Sequence, residues 1–256
     1  MPNIPTLLEL LQAGVHFGHQ TSKWHPKMEK YIFGERQGIH IIDLEKTQSA
    51  LEKALEFARK TAARGGVVLF VGTKKQAMEA VKKSAEYCGM PYVNKRWLGG
   101  TLTNYVNMAQ LLRKYKDLKR KLEKGELVGK YTKFEQQKFA EQVAKYDMEI
   151  GGLAELTRIP DAVFILDIRK DKTAITEANR RGVSVIAVCD TNVNPEQVDY
   201  PIPANDDAIK SIELLSQLVA EAIREGRDEW EKNRAKLGGT LVTAPSAAMP
   251  EKTSSV

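Results

Sequence analysis

The chain has 256 residues, is 42% hydrophobic and 28% charged, and carries a formal net charge of +6. That balance is ordinary for a globular protein with a real core and one or two domains, and no run of 18 apolar residues offers a membrane span. The start, MPNIPTLLEL, lacks the basic and apolar regions of a secretory signal, and two cysteines, Cys88 and Cys189, with no C-x-x-C pair, exclude a disulfide scaffold, a zinc ribbon and a thioredoxin-type site. An intracellular protein is expected.

The first predicted element is a short helix. Thr6 and Glu9 form a capping box, and Gly14 closes the helix. Tyr31–Phe33 and Ile39–Ile42 flank the turn-prone Gly34–Gly38, which predicts a strand-loop-strand unit. Residues 47–63 read as a helix with Ala50, Leu51, Ala54, Leu55 and Ala58 on one stripe. The run VVLFV (67–71) fits a strand buried on both faces. A helix over 75–88 and a short strand at 91–93 follow.

After an interruption the alternation resumes. It gives a strand at 162–168, a helix at 172–181, a strand at 183–189, a short segment at 198–203 and a helix at 206–225. Such alternation predicts a parallel sheet with helices on both faces. The interruption holds two apolar seams, Met108-Leu111-Tyr115-Leu118-Leu122 and Phe139-Val143-Tyr146-Ile150-Leu153, each with coiled-coil spacing. A turn at Gly125–Gly129 and a second capping box, Thr132 with Glu135, separate them. Together they predict an inserted antiparallel coiled-coil hairpin. The domain plan is an α/β body with an N-terminal extension (1–103 and 155–226), a hairpin arm (104–154) and a C-terminal extension (227–256). From about residue 238 the composition predicts disorder.

The net charge is not spread evenly. Residues 113–145 hold eleven Lys/Arg and five Asp/Glu, so the whole excess lies in this one segment. A localised basic excess points to an acidic partner, nucleic acid before a membrane. No G-x-G-x-x-G and no Walker loop is present. Gly72-Thr73-Lys74-Lys75, between a strand and a helix, has amides and cations suited to one phosphate. Ser22–Lys27 and Asn94–Asn104 each set cations beside a tryptophan, a pattern suited to phosphate contact and stacking.

Catalytic motifs are missing: there is no G-x-S-x-G, and no cysteine has a histidine nearby. His16 and His19 sit three apart, a spacing that faces one way on a helical turn, and are read as structural. Asp167, Asp190 and Asp206 fall at the carboxyl ends of predicted strands, the edge where open α/β sheets bind ligands. Asp190, Asn194 and Asp206 offer oxygen ligands for magnesium, or for zinc with an added histidine. The competing role for these residues is turn formation and helix capping, which Asn205-Asp206-Asp207-Ala208-Ile209 fits.

Several long motifs resemble the family of the second protein of the bacterial small ribosomal subunit. They are Gly14-Val15-His16-Phe17-Gly18-His19 with Trp24 and Pro26-Lys27-Met28, Tyr31–Gly34, His40–Leu44 with Lys46-Thr47, and Phe70–Lys74. Arg96–Gly100 with Leu102–Asn104, Asp190–Asn192, and Ile202-Pro203 with Asn205–Ile209 complete the set. The resemblance covers residues 6–226 and implies a flavodoxin-like sheet of about five strands with the helical hairpin inserted. It also implies a non-catalytic protein lying between head and body of the small subunit. Such a protein contacts small-subunit ribosomal RNA and neighbouring proteins, and helps dock the mRNA-binding ribosomal protein one. No cofactor is required, and neither a membrane nor a small-molecule substrate is implied. The location is the cytoplasmic ribosome, or an organelle stroma for an organelle-encoded copy. The family usually has Trp-Asn-Pro where this chain has Trp24-His25-Pro26, and an acidic residue at Asn194. Some members place an ion near these positions, which makes His25, Asp190, Asn194 and Asp206 the candidate set for a divalent ion.

Three readings follow. The first is an RNA-binding ribosomal protein whose contacts are Lys23, Trp24, Lys27, Arg36, Lys74, Lys75, Lys95, Arg96 and Asn104, with Arg113, Lys114, Lys116, Lys119, Arg120, Lys121 and Lys124 on the arm. Phosphate neutralisation supplies most of its affinity. The second is a metal-dependent enzyme built on Asp167, Asp190 and Asp206. The third is a coiled-coil adaptor that binds only proteins.

Overall fold

The computed structural model describes residues 4–127 and 129–236. Helix α1 (Leu7–Gln12) opens the chain with the Thr6/Glu9 capping box in place. Strands β1 (Phe17–Gln20), β2 (Ile32–Arg36) and β3 (Ile39–Ile42) form an antiparallel sheet in the order β1-β3-β2. Gln37 and Gly38 both adopt positive φ, 54° and 74°, the backbone of a tight hairpin turn. Sequence patterning anticipated this hairpin but not β1. His19 therefore lies on a strand rather than on a helical turn with His16.

The body follows as α2 (Leu44–Ala63), β4 (Val68–Val71), α3 (Met78–Cys88) and β5 (Tyr92–Val93). After α4 (Tyr105–Glu123) and α5 (Lys133–Ile150) it resumes with β6 (Ala162–Ile165), α6 (Lys172–Arg181), β7 (Ser184–Cys189), β8 (Tyr200–Pro203) and α7 (Ile209–Lys236). The five body strands pair in parallel in the order β5-β4-β6-β7-β8. Counted along the body, that order is 2-1-3-4-5, the doubly wound arrangement of flavodoxin-like folds.

The sheet is buried on both sides because alternate residues serve different cores. Phe70, Phe164, Ile186 and Ile202 pack with Leu51, Leu55, Val81, Leu215 and Val219 from α2, α3 and α7. Leu69, Val71, Val163, Ile165 and Val185 face the other way, onto Leu102, Met108, Leu112, Tyr115, Ile175 and Ala178. Phe70 and Phe164 meet edge to face, 5.4 Å between centroids, a favoured aromatic geometry.

Helix α4 ends in a Schellman motif: Gly125, at φ +67°, lets the Glu126 amide reach the Lys121 carbonyl at 3.0 Å. The Thr132/Glu135 capping box starts α5. The two helices meet through the Tyr115 and Tyr146 rings, 6.2 Å apart and edge to face, and through hydrogen bonds from Tyr115 and Lys119 to Asp147.

Helix α7 continues eleven residues beyond its expected end at 225. Arg227 donates to the Cys88 carbonyl at 2.6 Å, Arg59 pairs with Glu229 at 2.7 Å, and Trp230 lies against Gly65. These docking contacts offset the helix's polar composition. The disorder expected from residue 238 lies outside the described residues.

Candidate functional site

Two places gather the candidate residues, the carboxyl edge of the sheet and the basic helix α4. At the edge, Asp167, Asp190 and Asp206 follow β6, β7 and β8, as the sequence indicated. Lys74 arrives from the turn after β4, and its ammonium lies 3.4 Å from Asp167, 2.9 Å from Asp206 and 2.6 Å from Asp207. It also donates to the Asp206 carbonyl at 2.8 Å. Burial opposes its charge, but the hydrogen bonds to Asp207 and Asp206 and the charges of Asp206 and Asp167 outweigh it, so its pKa rises. Lys74 was expected to hold a phosphate of a partner. Its charge is instead balanced inside the protein, while its neighbour Lys75 is exposed.

Asp206 is buried beside two other carboxylates. Burial first, then the charges of Asp190 and Asp167, raise its pKa to about 7 against the pull of Lys74. His19 completes the cluster. Its Nδ1 is 3.0 Å from Asp190 and its Nε2 3.4 Å from Asp207. The Asp190 hydrogen bond raises the imidazole pKa, with the charges of Asp190, Asp206 and Asp207 helping against burial.

Donor atoms of His19, Asp206 and Asp207 lie within 4.8 Å of one another. Lys74 already lies among these oxygens, so a divalent ion there would have to displace an ammonium. The four residues chosen from sequence are not brought together as a ligand set. His25 Nδ1 accepts the Lys27 amide at 3.2 Å, and Asn194 Oδ1 accepts the Glu196 amide at 3.1 Å. Both side chains cap turns. His19 and Asp207 take the places given to them.

The Asn94–Asn104 loop is organised by a residue that sequence reasoning missed. Glu177, on α6 and 6% exposed, accepts from the Trp97 indole at 3.0 Å and the Gly100 amide at 2.8 Å. Its other oxygen accepts from the Leu102 amide at 3.0 Å, and from the Thr103 amide and hydroxyl, each at 3.1 Å. Burial pushes this carboxyl up, but the indole and amide hydrogen bonds outweigh it and hold it below its usual value. A signal was present: Glu177 sits on the same stripe as Ala174 and Ala178, a carboxylate at an apolar position. The result is a pinned loop. Trp97 is buried at 8% exposure, whereas Lys95, Arg96 and Asn104 stay exposed.

The remaining predicted contacts lie at the surface. Lys23 is exposed, and Trp24, 37% exposed, tilts against the His40 ring at 5.3 Å. Lys27 pairs with Glu196, and Arg36 is exposed at the end of β2. On α4, Lys116 faces Glu155, Lys119 faces Asp147, and Arg120 and Lys121 face Asp117. Among the described residues Arg113, Lys114 and Lys124 make no ion pair, and all three are exposed.

Fold and site define a doubly wound α/β protein whose sheet edge is occupied by its own lysine and whose excess charge is gathered on α4, α5 and the turn between them. The sequence family described as Ribosomal protein S2 matches residues 10–226. The chain is 49% identical to the small ribosomal subunit protein uS2 of Acidothermus cellulolyticus, over 87% of this chain and 81% of that protein. It is 47% identical to uS2 of Fusobacterium nucleatum, over 90% and 93%, and 48% identical to uS2 of Dehalococcoides mccartyi, over 90% and 94%. The chain belongs to the ribosomal protein S2 family, structural components of the ribosome rather than enzymes. The metal-dependent enzyme reading is thereby set aside. No helix among the described residues is long and apolar enough to cross a membrane.

Proposed function

We propose that this chain is a structural constituent of the small ribosomal subunit that holds small-subunit ribosomal RNA by phosphate neutralisation. The observation that carries this reading is the gathering of the whole positive excess into residues 113–145, with Arg113, Lys114 and Lys124 exposed and without ion pairs among the described residues. Residues 104–154 act as an antiparallel coiled-coil arm laid against the RNA. Lys75, Lys95 and Arg96 add contacts from the body, where Glu177 fixes the loop that carries two of them. Family membership supports a position between head and body and a role in docking ribosomal protein one. A protein-only adaptor leaves the concentrated positive charge without a use. A divalent ion at His19, Asp206 and Asp207 belongs to the proposal only as a replacement for the Lys74 ammonium.

The test is sedimentation of a lysate through sucrose at low and then high salt, with this chain probed across the gradient. It should travel with the small subunit and leave it as salt rises. The triple variant Arg113→Glu, Lys114→Glu, Lys124→Glu should lower the slope of log affinity against log salt by about 2–3, since each phosphate contact contributes about 0.7–0.9. A chain found only among free proteins at low salt would sink the reading.

A further inference from the structure

We propose that a groove at the amino-terminal edge of the sheet, opposite the Lys74 cluster, is a second RNA subsite that takes a single-stranded segment with one base stacked on Trp230. The groove has a volume of about 770 Å³ and is lined where β4, β6 and β7 begin and where α7 passes over them. Three guanidiniums line it, Arg64, Arg158 and Arg181, against a single carboxylate, Asp161. Arg158 is held in place by Asp161 at 2.9 Å and the Gly65 carbonyl at 3.0 Å. Arg64 and Arg181 are exposed and have no ion pair among the described residues.

The fourth component is aromatic. Trp230 lines the groove half-buried, one edge against Gly65, and the Arg234 guanidinium stacks over its ring at 5.3 Å. Arginines that meet phosphates, next to an indole that meets a base, are the two halves of single-stranded RNA recognition.

An acidic peptide would satisfy the arginines but has no use for a stacking platform. The net charge of the groove and its ring therefore favour RNA. This inference rests on the RNA-binding reading but concerns residues other than the α4 cations, so the two can fail separately.

The experiment uses the full chain and a uridine dodecamer, with affinity measured by fluorescence anisotropy across a salt series. Arg64→Gln with Arg181→Gln removes two phosphate contacts, so affinity should fall about tenfold or more near 0.1 M salt and the salt slope should drop by about 1.4. Trp230→Ala should weaken binding about tenfold, and Trp230→Phe, which keeps a ring and the packing on Gly65, should restore most of it. Urea unfolding of the arginine pair variant should match the parent, because neither arginine holds the fold together. Photo-crosslinking should place uridine on Trp230. If the groove variants bind like the parent while the α4 triple variant is weakened, the groove is no RNA subsite, although the general reading stands. If the parent itself fails to bind the dodecamer, the groove proposal fails, and the general reading is decided by the sedimentation test alone. If the groove variants keep RNA but lose binding to polyglutamate, the partner is an acidic protein and the inference is overturned.

Discussion

Replacing Glu177 should unfasten the Asn94–Asn104 loop and cost the body a measurable share of its stability. The carboxylate serves five donors, and two of these, the Trp97 indole and the Leu102 amide, belong to buried residues. A buried donor left without a partner costs about 1–3 kcal/mol. Water can reach the partly buried Gly100 and Thr103 donors at smaller cost. Glu177→Ala should therefore destabilise the protein by about 3–5 kcal/mol. Glu177→Gln retains one oxygen but turns an NH2 group toward one of the two donor sets, for a loss of about 2–3 kcal/mol. Urea unfolding should show the midpoint falling with an unchanged slope, and the Leu102 and Thr103 amides should exchange faster than their neighbours. The lowered pKa fixes the pH dependence: the contribution is complete above the ordinary carboxylate value and fades as pH falls through the folded value. A Gln variant within about 0.5 kcal/mol of the parent would refute the account, since surface substitutions already span that range.

Lys74→Met should leave Asp167, Asp206 and Asp207 without their shared counter-ion and destabilise the fold at neutral pH by about 3–5 kcal/mol. Because Asp206 already titrates near 7, the deficit should shrink as pH falls toward 5 and the cluster takes up protons. Chemical unfolding at several pH values checks both sign and size. For His19 the sign is opposite in origin. Its raised pKa stabilises the fold fully below the ordinary histidine value, and that contribution is lost as pH rises through the folded value. The parent should exceed His19→Gln by about 1–2 kcal/mol near pH 5.5, the scale of a hydrogen bond to a charged group, and the gap should narrow by pH 8.5.

Much of the body was legible in sequence because its signals are local. Runs such as VLFV and AVFI, the Thr6/Glu9 and Thr132/Glu135 boxes and the Asn205 cap each announce themselves within a few residues. Most of the misses are long-range. Lys74 looks like a phosphate ligand because its carboxylates lie about a hundred residues away in the chain. The last eleven residues of α7 look like a polar extension until Arg227 and Trp230 are seen resting on Cys88 and Gly65. Strand β1, four residues at the edge of its sheet, shows no alternating burial for a pattern search to find. His25 and Asn194 carry plausible ligand atoms, yet each is engaged by a backbone amide two residues on. Spacing alone does not report that competition.

The shielded position of Lys74 also governs how the protein responds to ionic strength. Mobile ions screen exposed charges over about 8 Å at physiological salt and about 3 Å at 1 M. The α4 cations feel this fully. The ammonium between Asp167, Asp206 and Asp207 is kept from it by its burial, with 15% of its side chain exposed. Concentrated salt should thus strip the chain from a polyanion while its strand ends remain tied, so that detachment and unfolding occur at well-separated salt concentrations. A protein washed off in this way leaves folded and ready to rebind on dilution.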